Sequence, residues 1–276
     1  MKKIILATSA VLLLSSNAFS YKLNRVAEGG ARWQSFPVSI KINPANSGLP
    51  SEEVQRVVGS AMSKWDTATS TNVLDGTVDA SVQAATAMDV DGNNVIAFST
   101  NFREDSNGFD PKSAVAIGGQ YGDGTSMSDG FIVFNAEAVT WNTDAIMSST
   151  KGISYSDDLE TIALHELGHV LGLGHSDIST AAMSAARTSK TIRDLTSDDI
   201  TGIKYLVASG PSGAGAGYDD NTTNETNNTS VGGCGTVGTN GSTGTGSGGA
   251  GSAAAMMLLP MLALIFLRRR AFSYNQ

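Results

Sequence analysis

The sequence predicts an α+β domain over residues 21–208, and three observations carry that class. Short apolar runs with strand-like patterning recur through its first two thirds. An uninterrupted amphipathic helix separates the first of these runs from the others. All three histidines of the 276-residue chain then fall in one later stretch with helical spacing, His165-Glu166-Leu-Gly-His169-Val-Leu-Gly172-Leu-Gly-His175. The predicted domain is long enough to bury a core of its own.

The elements follow in order. Residues 36–43 alternate apolar and polar from Val38 onward and read as a strand. Ser51 is expected to cap the next helix, with Glu52 and Glu53 in the first turn, where the helix dipole favours acids. Val54, Val57, Val58, Ala61, Met62 and Trp65 fall on one face of it. Residues 94–100, entered through the turn Asp91-Gly92-Asn93, read as a strand, as do residues 114–118 and 131–135; Trp141 follows the last. The histidine helix is expected to start at Asp157, in a capping-box pair with Glu160, and to bury Leu159, Ile162, Ala163, Leu167, Val170 and Leu171. A final helix begins at Thr196 or Ser197, with Ile200, Ile203, Tyr205 and Leu206 as candidates for packing.

The histidine spacing points to a metal. On a helix upstream of Gly172, His165 and His169 are four residues apart and lie one turn above each other, so both imidazoles can bind one ion. Gly172 tolerates the positive φ of a helix end, which lets the chain turn and bring His175 round as a third ligand. Three neutral nitrogens with an open fourth position describe a catalytic zinc, because a structural site is normally closed by a fourth protein ligand and no cysteine lies nearby. Glu166, set between the two helical ligands, can take a proton from a metal-activated water and pass it to a leaving amine, so the chemistry indicated is hydrolysis. The alternative, polar residues on a solvated helix face, leaves unexplained why the chain has no histidine elsewhere.

The full HExxHxxGxxH pattern, Ser176 directly after it and Met183 eight residues beyond His175 resemble the metzincin metallopeptidases, and the matrixin branch in particular. The resemblance covers roughly residues 31–208, from Arg32-Trp33 through the Val38 strand and the Trp65 helix to a closing helix around Asp198-Asp199. It implies a twisted, mixed but mostly parallel sheet with three main helices and one zinc on the active-site helix. It also implies that Met183 sits in a tight turn beneath the metal; an ordinary core methionine is the alternative for that residue. One departure is visible, since matrixins usually place a proline two positions after that methionine and this chain reads Met183-Ser184-Ala185. The turn is expected to survive, but the wall of the neighbouring substrate pocket is not carried over. The family's latency device, a propeptide cysteine, is not expected, because the single cysteine, Cys234, follows the domain. A second, structural zinc is not expected either, for want of histidines.

Composition narrows the partners. Without Lys2, Lys3 and Arg268, Arg269 and Arg270, the chain has 13 basic against 26 acidic residues, a net charge of −13, which argues against nucleic-acid binding. One cysteine excludes an internal disulfide, so stability must come from the core and from calcium if it binds. Asp89, Asp91, Asn93, Asp105, Asp110, Asp123 and Asp129 are the calcium candidates; none follows an EF-hand pattern, and solvated turns are the competing interpretation.

The two ends agree on topology. Lys2 and Lys3 precede an apolar run from Ile4 and a small-residue stretch at Ala18-Phe19-Ser20, so residues 1–20 read as a secretory signal peptide, cut after Ser20 or, second, after Ala18. A Gly/Ser/Thr/Asn-rich linker is expected over residues 209–252, followed by an apolar helix and Arg cluster over 253–276. Fifteen apolar residues cover only about 22 Å, so a span is just sufficient when counted from Gly248. The arginines are expected to stay cytoplasmic and the domain outside the inner membrane. Gly248-Gly249, the short apolar helix and the arginines resemble the GlyGly-CTERM sorting signals of Gram-negative bacteria, which implies a transient anchor; processing or lipidation at Cys234 and a permanent anchor are the alternatives. The expected protein is thus a monomeric, extracytoplasmic zinc endopeptidase in which an edge strand near residues 114–118 aligns an extended protein or peptide substrate. A surface adhesin on the same scaffold and a zinc hydrolase of cell-wall peptides are the competing functions, and the retained Glu166 counts against the adhesin.

Overall fold

The chain enters the fold through one helical turn, α1 (Arg25–Glu28), capped by the Asn24 side chain, which accepts the Ala27 amide. The computed structural model describes residues 20–147, 155–185, 191–209 and the backbone of 234–237. The expected signal peptide apart from Ser20, most of the linker and the apolar segment with its arginines lie outside the described residues. So does the whole second unit of the chain, Asn240–Gln276. Among the described residues no helix is long and apolar enough to cross a membrane.

Branched residues at every second position make β1 (Val38–Ile42), with Val38, Ile40 and Ile42 buried. The amphipathic stretch forms α2 (Ser51–Thr69), and its six expected apolar positions are all buried. Its start differs from expectation. Pro50, not Ser51, is the N-cap, no side chain caps the helix, and the Pro50 carbonyl accepts the Glu53 and Val54 amides. Proline suits this entry because its φ is already near the helical value. Asp66 then accepts the Val73 and Leu74 amides and turns the chain into β2 (Leu74–Val78).

β3 (Val95–Ser99) follows the expected turn, with Gly92 at φ +83°, and leads to a helical turn, α3 (Phe102–Asp105). β4 (Ala114–Gly122) and β5 (Met127–Asn135) are longer than expected because they form a hairpin, whose turn is tied by Asp123 accepting the Thr125 and Ser126 amides. β6 (Val139–Asn142) pairs in parallel with β7 (Tyr155–Asp158). The histidine helix is α4 (Leu159–Leu171), and a last helix, α5 (Ser197–Ser209), closes the domain. The α4 cap is one residue later than expected: Asp158 accepts the Thr161 amide and hydroxyl, while Asp157 is held in the ladder opposite Trp141.

One further strand, β8 (Cys234–Val237), lies in the tract read as linker. The main sheet has six strands in the order β2-β1-β3-β5-β4-β8; the first four are mutually parallel, and β4 is antiparallel to both neighbours. The mixed, mostly parallel sheet with three main helices is therefore as expected. The position of β4 is a correction, because β8 covers the side of it that was expected to be a free edge. The α2 and α4 helices stack against each other over one large core cluster, and all thirteen residues of α4 are buried.

Candidate metal centre and active site

A helix buried on every side must satisfy its surroundings through specific contacts, and α4 does so. The Trp65 indole donates to the Leu164 carbonyl at 3.1 Å and the Trp33 indole to the Val170 carbonyl at 2.9 Å. Asn24 donates to the His169 carbonyl at 3.0 Å. The helix ends at Gly172, whose φ of +112° is the left-handed turn read from the sequence; the Leu173 amide reaches back to the Gly168 carbonyl at 2.9 Å. Backbone bonds from Asn24 to the Gly172 carbonyl and from Gly174 to the Lys22 carbonyl then hold the loop that carries His175.

The structure brings His165, His169 and His175 together, all buried, with one ring nitrogen of each within 4.8 Å of the others. The Nδ1 of His165 lies 2.6 Å from the Ala182 carbonyl and that of His169 lies 2.8 Å from the Leu173 carbonyl. A carbonyl only accepts, so both Nδ1 atoms carry the proton and both Nε2 atoms present a lone pair. Those two Nε2 atoms face each other at 3.1 Å with no proton between them. A shared cation explains that contact, since two ligands about 2.0–2.1 Å from a tetrahedral zinc are about 3.4 Å apart. Burial pushes His165 down to about 3, with help from His175 and against the Ala182 carbonyl. Burial, then His165 and His175, likewise hold His169 well below its ordinary value. Neutral imidazoles are what a metal needs, so the donor set fits zinc. Among the described residues this is the one group of three or more such side chains placed to hold an ion. Of the calcium candidates, Asp129 accepts the Asp91 and Gly92 amides and Asp123 the Thr125 and Ser126 amides, which are turn contacts.

Glu166 is fully buried, and among the described residues neither carboxylate oxygen has a hydrogen-bond partner. Burial raises it well above the usual carboxylate range. The Gly118 amide opposes that rise from nearby without reaching hydrogen-bond geometry. β4 passes so close here that a Cβ at Gly118 would fall 2.8 Å from both Cβ and Oε2 of Glu166. Only glycine lets this strand run against the carboxylate.

Met183 packs against the histidine helix at Gly168. A Cβ on Gly168, inside the histidine motif, would sit 2.2 Å from the Met183 sulfur. The turn is closed by the Ser176 amide donating to the Met183 carbonyl at 2.7 Å, and the missing proline leaves it intact.

Sequence reasoning missed the residues that hold this floor. Asp199 accepts the Ala182 and Met183 amides, each at 3.0 Å, and the Thr196 amide and hydroxyl. Asp198 accepts the Ser176 hydroxyl at 2.6 Å and the Ser20 amide at 2.8 Å. The Thr196-x-x-Asp199 spacing was a visible capping signal, but nothing local told of its second set of partners.

Comparison with known proteins agrees with this geometry. The family model described as Matrixin matches residues 32–208. The chain is 30% identical to Metalloendoproteinase 2-MMP of Arabidopsis thaliana over 173 residues, 62% of this chain and 42% of that protein. It is 46% identical to Metalloendoproteinase 5-MMP of the same plant over 61 residues, 22% of this chain and 17% of that protein. With Stromelysin-3 of Xenopus laevis it shares 27% identity over 185 residues, 66% of this chain and 34% of that protein. The chain thus spans less than half the length of each of these relatives.

Proposed function

Because this chain belongs to the matrixin family, we propose that it is a zinc-dependent endopeptidase that cleaves peptide bonds within proteins. One observation carries the proposal: a buried carboxylate without a partner, Glu166, stands in the same helical turn as two imidazoles whose Nε2 lone pairs converge. Leaving a carboxylate buried and uncompensated costs stability, and catalysis is the reason to keep it.

His165, His169 and His175 would hold the ion through Nε2. Zinc, when bound, supplies Lewis acidity that polarises a scissile carbonyl and acidifies a water. Glu166 is then the base that accepts the proton at its carboxylate and returns it to the departing amine, a transfer favoured by the dry surroundings of its side chain. The Nδ1 bonds to Ala182 and Leu173 keep the two rings in one tautomer and orientation throughout. The β4 backbone runs past Glu166, and its edge would offer main-chain groups to an extended substrate only where β8 gives way. We read the protein as exported, on the strength of the apolar run after Lys2 and Lys3 and the arginines at 268–270.

Peptide-library profiling of the purified chain tests the proposal. Internal cleavage that stops with a chelator and returns with zinc is expected; a zinc-loaded, folded protein that cuts no peptide or protein sinks it.

A further inference from the structure

β8 lies antiparallel along the side of β4 that faces away from β5, with Ala114 opposite Val237, Ile117 opposite Gly235 and Gly118 opposite Cys234. Gly118 is also the residue that abuts Glu166. A tail segment therefore takes the one remaining edge of the strand beside the catalytic carboxylate, at the level of that carboxylate. We propose that Cys234–Val237 is an intramolecular strap that competes with extended protein substrates for the β4 edge. This rests on the peptidase reading above, and specifically on β4 as the strand that guides substrate.

The strap has the properties of a displaceable competitor. Thr236 and Val237 favour extended backbone within a glycine-rich surround, so the segment can add to a sheet without a core of its own. Its ladder is short, and a register shift between Ala114 and Ile117 interrupts it. A four-residue strand has little intrinsic affinity, but attachment to the domain compensates. Residues 210–233 join α5 to β8, so the strap is covalently attached to the domain it pairs with and acts at an effective concentration on the order of millimolar. Competition of this kind raises KM and leaves kcat alone, and it ends when the tail is cut or a better-pairing substrate arrives.

The test uses the full chain and a variant with Gly235→Pro and Thr236→Pro. Adjacent residues in a strand point their amides to opposite sides, so replacing both removes a ladder donor whatever the parity. Hydrogen exchange should find residues 234–237 protected in the natural chain and exchanging like free coil in the variant. With an extended peptide substrate, the variant should show a KM about three- to tenfold lower at unchanged kcat. Coil-like exchange at 234–237 in the natural chain would overturn the strap outright. Protection lost in the variant with no change in KM would overturn its inhibitory role. A zinc-loaded chain that cleaves nothing with or without the substitutions is a failure of the peptidase reading and removes the competitive role with it, while exchange still reports whether the strap docks.

Discussion

The start and the middle of the histidine helix treat buried carboxylates in opposite ways. At its start, Asp158 is fully buried and Glu160 nearly so, and both are matched: Arg193 donates to Asp158 from Nε at 3.0 Å, and Glu160 accepts from Lys64 at 2.6 Å and from the Ser60 hydroxyl at 2.7 Å. Two turns on, Glu166 has no cation and no hydrogen bond. Burial pushes all three carboxyls upward. At the first two it is outweighed, by Arg193 and Thr161 at Asp158 and by Lys64 and Ser60 at Glu160, so both end below the usual range. At Glu166 burial wins. One helix thus carries acids matched by cations and an acid that burial dominates, and the surroundings, not the residue type, make the difference.

The comparison assumes that the positive charge missing beside Glu166 is a metal held by the histidines, and His169→Ala attacks that assumption most directly. Elemental analysis should find zinc in the natural chain and a large loss of it in the variant, with hydrolysis down at least about a thousandfold. Undiminished zinc would break the comparison.

Glu166→Gln separates the two kinds of acid. It should retain zinc, melt at or above the natural temperature because a buried ionisable group without a partner is gone, and lose hydrolysis by at least about a hundredfold. Natural activity in this variant would mean that another residue is the base.

Arg193→Ala sharpens the other side. It leaves Asp158 buried without its bidentate partner and should cost about 3 kcal/mol in urea unfolding. The pH dependence has a definite sign: Asp158 and Glu160 are depressed in the folded protein, so their contribution is complete above their unfolded values, about 3.9 and 4.3, and is lost as pH falls through the lower folded ones. The Arg193 variant should therefore begin acid unfolding at a higher pH than the natural chain; coincident acid transitions would show that the pair adds nothing.

Met183→Leu should have the smallest effect, about 1 kcal/mol or less, because the swap nearly conserves volume and the thioether contributes only packing beneath Gly168. Zinc content in this variant should be unchanged; a loss of metal would mean that the floor does more than fill space.

What the sequence made legible was local. His165, His169, Gly172 and His175 follow from helix periodicity and a glycine stop, and the apolar face of α2 from spacing alone. What it hid was decided across the chain. The helix cap moved from Asp157 to Asp158 because the strand that holds Trp141, 16 residues upstream, pairs with Asp157. Gly118 looks like any strand glycine until Glu166 is placed against it. Asp199 announces a cap for its own helix, yet it also holds the Met183 turn 16 residues earlier. β2 was missed because Gly76 takes the middle apolar position of its alternation, and β8 because its surroundings have the composition of a linker.

The carbonyls of Ala182 and Leu173 have a consequence for the order in which this protein matures. Each accepts from one histidine ring through backbone that belongs to the fold, and the helix that carries both rings is enclosed by the core. Those two rings are oriented by hydrogen bonds that need no ion, so acquiring shape and acquiring metal can be separate events. A stripped chain should keep its circular dichroism spectrum and regain full zinc stoichiometry without passing through an unfolded state, unlike domains whose ligands assemble only around the ion. Such a protein can complete its fold in one place and collect its metal in another.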